Sequence, residues 1–98
     1  TSNDNRFLVD FDVLNSTVKS NMFLSEGEII ETTIIIKKGN VDIVIENENG
    51  TTAYRGNDVG TCNFKIEIEE AGIYTFYITG VKAEGSVYFI KSLMDNET

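Results

Sequence analysis

The chain has no histidine, no proline, no tryptophan and a single cysteine. Each absence closes a route. Without histidine, neither a Ser-His nor a Cys-His nucleophile can be assembled, and imidazole metal ligation is excluded. One cysteine, Cys62, forbids an internal disulfide. No apolar run approaches the ~18 residues that a membrane-spanning helix needs. Basic residues are scarce as well: 8 Lys and Arg stand against 16 Asp and Glu, for a net charge of -8. Such a field repels phosphate backbones and anionic lipid, so nucleic acid is not an expected partner, whereas cations and basic proteins are acceptable. The chain opens on Thr-Ser-Asn-Asp-Asn without an initiator Met. A mature or trimmed fragment is expected, with any targeting segment lying upstream.

What is present is β-forming. Of the 98 residues, 41% are hydrophobic and 24% charged, a globular balance sufficient for one core. A domain of this size buries roughly two-thirds of its unfolded surface. Strand-like runs recur between turn residues at 6–13, 17–24, 28–38, 41–48, 51–56, 62–69 and 85–93, with a helix over 12–21 as a local alternative. The spacing predicts an all-β fold, a single antiparallel β-sandwich of roughly eight strands, with frayed tails at 1–5 and 95–98.

The central stretch carries the most specific expectation. A two-residue turn at Gly39-Asn40 would pair Ile36 with Ile43 and Ile34 with Ile45 on one face. On the other face it would pair Ile35 with Val44 and Lys37 with Asp42. A second turn at Asn49-Gly50 sets Tyr54 opposite Ile45, and together they predict a three-stranded meander. Glu70-Ala71-Gly72 similarly predicts a hairpin pairing Ile68 with Tyr74, Ile66 with Phe76 and Phe64 with Ile78.

Gly-Asn-Val-Asp-Ile-Val-Ile (39–45), Asn-Gly-Thr-Thr-Ala-Tyr-Arg-Gly (49–56), Phe-Lys-Ile (64–66), Ala-Gly-Ile-Tyr-Thr-Phe (71–76) and Gly-Ser-Val-Tyr-Phe (85–89) follow a recognisable order. It resembles the GOLD domain of secretory cargo receptors and bacterial extracellular pre-peptidase C-terminal sandwiches. The cargo receptors pair two cysteines and carry a transmembrane tail; this chain has only Cys62 and no such tail. The resemblance therefore implies a jelly-roll-like or GOLD-like bacterial module, secreted or held at the cell surface, for instance by a lipoprotein anchor upstream. It implies no catalysis and supplies no site residues.

Candidate chemistry is thin. Cys62 alternates with Phe64 and Ile66 and is expected to be buried and inert. Glu67 with Glu69, or Asp10 with Asp12, has the spacing of glycosidase carboxylates but reads as a solvated strand face. Glu46, Glu48 and Asp58 are candidate calcium ligands on two turns. In the meander register Glu31 would face Glu48, a repulsion that a cation would relieve. The Asn-x-Thr triplets at Asn15, Asn49 and Asn96 match glycosylation acceptors by chance in so Asn- and Thr-rich a chain.

The remaining signal is apolar side chains on the outward face. Ile35, Val44, Tyr77 and Tyr88, with Ile29, Ile73 and Ile90, point away from the core in the derived registers, and a contiguous patch of this kind marks a contact surface. The reading is a non-catalytic extracellular accessory domain without a resident cofactor. It uses this patch for a protein partner or weak self-association. A calcium-dependent or carbohydrate-binding module, its ligand a cell-surface glycan, is the alternative.

Overall fold

The computed structural model describes residues 6–92. The described residues form six strands: β1 (Arg6–Leu14), β2 (Thr17–Leu24), β3 (Ile29–Asn47), β4 (Thr52–Gly56), β5 (Cys62–Glu67) and β6 (Gly72–Ser92). All pairings are antiparallel. The span 12–21, where a helix was the alternative, is strand on either side of a short connection.

β3 and β6 are long and pair with each other along nearly their whole length, from Ile29 opposite Ser92 to Asn47 opposite Tyr74. Every other strand borrows half of one of them. β1 lies on the second half of β6 and β2 on its first half. β5 lies on the first half of β3 and β4 on its second half. Two four-stranded layers result, β2–β6–β3–β4 and β1–β6–β3–β5, joined by the bent middles of β3 and β6. Hence six strands do the work of roughly eight. Phe76 of the first layer meets Phe89 of the second at 4.9 Å between ring centroids, and Phe7 on β1 packs edge-on to Phe76 at 6.3 Å. The layers are thus the two walls of one apolar core. Tyr54 on β4 and Phe64 on β5, 4.9 Å apart, pack against each other across the far side.

The Gly39-Asn40 hairpin does not form. The buried positions of β3 are even before this point (Ile30, Thr32, Ile34) and odd after it (Val41, Ile43, Ile45). A two-residue turn produces that switch, but so does one extra residue inside a continuous strand. The chain takes the second solution, with Gly39 at a φ of 78°. β6 makes the same switch, from Ile78 to Ala83, with Lys82 at a φ of 50°. The two irregularities lie opposite each other and cancel in register, so the strands bend together from one layer into the next. The expected partners are accordingly replaced. Ile34 faces Val87, Ile35 Ser86, Ile36 Gly85, Asp42 Thr79, Ile43 Ile78 and Val44 Tyr77. Glu31 sits between Ile90 and Lys65, far along the chain from the Glu48 it was expected to face.

The second turn holds. Tyr54 stands opposite Ile45, after an irregularity next to Glu46. Asn47 builds this turn: its Oδ1 accepts from the backbone N–H of Asn49 and of Thr51, each at 2.9 Å.

The 70–72 hairpin is also replaced. β5 pairs with β3, Ile66 opposite Ile30, while Tyr74, Phe76 and Ile78 pair with Met22, Ser20 and Val18 of β2. The faces assigned to Ile66, Ile68, Tyr74, Phe76 and Ile78 are nonetheless the buried ones. Residues 68–71 cross between layers, tied by Ile68 N–H to Glu28 O at 2.9 Å and Gly27 N–H to Ile68 O at 2.8 Å. β1 switches parity as well. Phe7 is buried, but a bulge between Phe11 and Leu14 turns Leu14 inward and leaves Val13 exposed.

Candidate functional site

With both walls turned inward, each layer presents its other face to solvent, and every candidate residue can be placed on one of these faces. On the β2–β6–β3–β4 layer, one cross-strand row runs Lys19, Tyr77, Val44, Arg55. The neighbouring row runs Asn21, Thr75, Glu46, and the next pairs Phe23 with Ile73. Tyr77 and Val44 are half-buried by their neighbours; Phe23 and Ile73 are 57% and 45% exposed. Hydroxyl and amide groups knit the rest of the face: Thr75 Oγ1 donates to Asn21 Oδ1 at 2.9 Å, and Thr17 and Thr79 share a 2.9 Å bond.

Ile35 and Tyr88 lie elsewhere. They occupy the outer face of the other layer, in rows Asp10–Ser86–Ile35 and Leu8–Tyr88–Thr33–Asn63, with exposed Ile90 one row on. The four residues expected as one patch are therefore two pairs on two layers, because the hairpin that would have joined Ile35 to Val44 is absent. Phe23 was missed. The inward alternation of Val18, Ser20, Met22 and Leu24 on β2 was the signal that could have found it, since it forces Phe23 outward.

Asp10 is the most organised polar group on the second face. Ser86 Oγ donates to its Oδ1 at 2.6 Å and Tyr88 Oη donates to the same atom at 2.8 Å. These bonds, Ser86 first, hold its pKa below the ordinary 3.8. A depressed carboxylate contributes stability above its unfolded pKa and loses it as pH falls through the folded one. Asp10→Asn is therefore expected to narrow the drop in Tm between pH 5 and acid, mostly below about pH 4. Parallel thermal melts of the two proteins measure it; curves that stay parallel would show that the hydroxyls do not hold the ionised form.

The remaining candidates are scattered. Cys62 is exposed rather than buried, since burial fades along the edge strand β5 from Ile66 through half-buried Phe64 to its first residue. Glu46 lies near the end of β3 and Glu48 in the turn beyond it, whereas Asp58 follows the far end of β4, its N–H donating to Asp42 Oδ1 at 2.7 Å. The turns thus do not bring the proposed calcium ligands together, and among the described residues no three Asp, Glu or Cys side chains are grouped to hold a metal ion. Asp10 and Asp12 line an open hollow of 330 Å³ with Lys37 and Glu84. Glu67 and Glu69 line another of 140 Å³ with Glu70, whose pKa is lowered by donors from Thr51, Asn49 and Asn47. No helix among the described residues is long and apolar enough to cross a membrane.

No protein-family model matches the sequence, and neither does any curated protein. Solved structures do share the fold. A periplasmic inhibitor of g-type lysozyme from Aeromonas hydrophila superposes with a TM-score of 0.65 at 10% identity, over 91% of this chain and 88% of that one. The pre-peptidase C-terminal domain of a collagenase from Bacillus anthracis gives 0.62 at 13% identity, over 90% of each chain. The resemblance to the pre-peptidase C-terminal sandwich holds at the level of fold.

Proposed function

We propose that this chain is a non-catalytic, exported interaction domain that contacts a protein partner through the outer face of the β2–β6–β3–β4 layer. The observation that carries the reading is the Tyr77–Val44 pair, set between Lys19 and Arg55 and continued toward the exposed Phe23–Ile73 pair. An aromatic and aliphatic centre with a charged rim is the anatomy of a protein interface, where Tyr, Phe and Arg carry much of the binding energy. Export and a protein partner draw support from the periplasmic lysozyme inhibitor, and an accessory role from the collagenase domain. The non-catalytic reading rests on the missing histidine and on carboxylates that line open hollows rather than an enclosed cleft.

Photo-crosslinking from position 77 tests this, with position 65 on the other layer as control. In the envelope of cells producing the protein, position 77 is expected to give one discrete protein adduct. Val44→Lys, a charge at the centre of the face, should reduce its yield about tenfold or more. Equal adducts from both positions, or a yield that Val44→Lys leaves unchanged, would remove this face as the contact.

A further inference from the structure

The four outer strands of the two layers differ in how their free edges are guarded. An open edge presents unpaired N–H and C=O groups, and proteins blunt such edges with short strands, bulges or charge. β1 carries a bulge between Phe11 and Leu14 and the charges of Arg6, Asp10 and Asp12. β4 has five residues and an irregularity near its start, and β5 has six with Lys65 and Glu67 among them. β2 is unlike these. Its eight residues pair with β6 without a break, and Lys19 is its one charge. Among the described residues, no strand but β6 pairs with it.

The ladder to β6 fixes which backbone groups are free. Gly80 N–H donates to Ser16 O at 2.9 Å, so along the same register Val18, Ser20, Met22 and Leu24 turn their N–H and C=O groups toward β6. Those of Thr17, Lys19, Asn21 and Phe23 point away from it. Lys91 Nζ, 3.4 Å from Phe23 O, already meets one of them.

The side chains along the edge state what an added strand would carry. A hollow of 480 Å³ lined by Phe7, Leu8, Val9, Asp10, Val18 and Tyr88 opens at one part of β2, and one of 530 Å³ lined by Asn21, Met22, Phe23, Ile73 and Lys91 at another. Val9 and Val18 pack against the core yet are only half-buried, so an inward side chain placed beside Val18 gains apolar contact. Outward, Lys19 is exposed and makes no ion pair among the described residues. Neither β2 nor the stretch of β6 paired with it holds a carboxylate, and Asp10 belongs to the outer face of the other layer. Charge complementarity therefore favours an acidic residue opposite Lys19. With a Debye length of ~8 Å at physiological salt, this nearest charge, not the chain's total of -8, governs that position.

We infer that the free edge of β2 accepts an extended segment of the protein partner as an added strand, apolar on its core side and acidic where it passes Lys19. This rests on the protein-contact reading and names the form and chemistry of the partner. The added strand widens the β2–β6–β3–β4 layer, so its outward residues join the face around Tyr77. Main-chain hydrogen bonds supply affinity, and alternate side chains supply selectivity.

Labelled heptapeptides of valine-threonine-valine, a central residue and valine-threonine-valine test it by fluorescence anisotropy, the central residue being glutamate or lysine. The glutamate peptide is expected to bind, and the lysine peptide about threefold or more weakly. Lys19→Glu, an exposed change, should reverse that order. A glutamate peptide N-methylated at the glutamate and both threonines, whose N–H groups would face β2, should bind about tenfold or more weakly. Amide hydrogen exchange read by NMR locates the contact. Saturating glutamate peptide should slow Lys19, Asn21 and Phe23 about tenfold or more, leaving Val18, Ser20 and Met22, already bonded to β6, unchanged. Equal binding of the methylated peptide, or absence of that alternating protection, would overturn strand addition. An order that Lys19→Glu leaves as it was would overturn the acidic residue, and failure of every peptide to bind would overturn both. Crosslinking from position 77 reports on the protein-contact reading separately, since it makes no use of the β2 edge.

Discussion

Gly39→Ala is expected to destabilise the protein by about 3 kcal/mol or more, far beyond an ordinary glycine replacement in a strand. Two effects add. At a φ of 78° an L-residue occupies the left-handed region, which costs roughly 1–2 kcal/mol. A Cβ there would also stand 2.2 Å from the carbonyl oxygen of Lys82 and 2.6 Å from that of Val81, both backbone atoms of the facing strand. Neither can swing aside as a side chain would, so β3 and β6 would have to part where both bend. Urea unfolding of Gly39→Ala against Asn40→Ala measures the effect, the neighbour being exposed. A loss of only about 1–2 kcal/mol at Gly39 would match a free hairpin tip and contradict the close backbone approach of β3 and β6 at their shared bend.

Phe89→Ala should cost about 3–5 kcal/mol, a large share of the 5–15 kcal/mol available to a small domain. Phe89 is fully buried, stacked on Phe7 at 6.2 Å and tilted against Phe76 at 4.9 Å. It therefore touches β1 within its own layer and β6 of the opposite one. Removing the ring leaves a cavity between two sheets that the bent strands hold apart, so collapse recovers little of the lost contact. The next residue is the control. Tyr88 points outward and is half-buried, and Tyr88→Ala is expected to cost about 1 kcal/mol. Denaturant midpoints of the pair decide the register, because a slip of one residue in β6 would exchange the two outcomes.

The two experiments probe what was and was not legible in the chain. Alternation of apolar and polar residues is local, and it assigned Ile34, Ile43, Ile45, Ile66, Phe76, Val87 and Phe89 to the interior correctly. It also placed β2 at 17–24 and set Tyr54 against Ile45 through the Asn49-Gly50 turn. Alternation has no information about which strand lies alongside. A change of parity at Gly39 satisfies a turn and a bulge equally, and a short Glu70-Ala71-Gly72 link joins strands of one sheet or of two.

The candidate surface suffered from the same ambiguity. Val44 and Tyr77 were readable as outward residues, but their direct adjacency depends on β3 pairing with β6 rather than folding back on itself. Ile35 and Tyr88, equally outward, were carried to the other layer by the same bend. Cys62 alternates with core residues, yet burial along β5 has run out by the time the strand reaches it.

Composition and periodicity, then, determined an acidic all-β chain without histidine chemistry and the inward or outward sense of nearly every strand residue, because those properties follow from each residue and its nearest neighbours. The tertiary structure alone decided that β3 and β6 run through both layers, which strands flank them, and which outward side chains share a surface. Those choices depend on contacts between residues far apart in the chain, such as Ile43 with Ile78 and Ile34 with Val87, where two long strands with matching bulges stabilise each other better than either could by turning back.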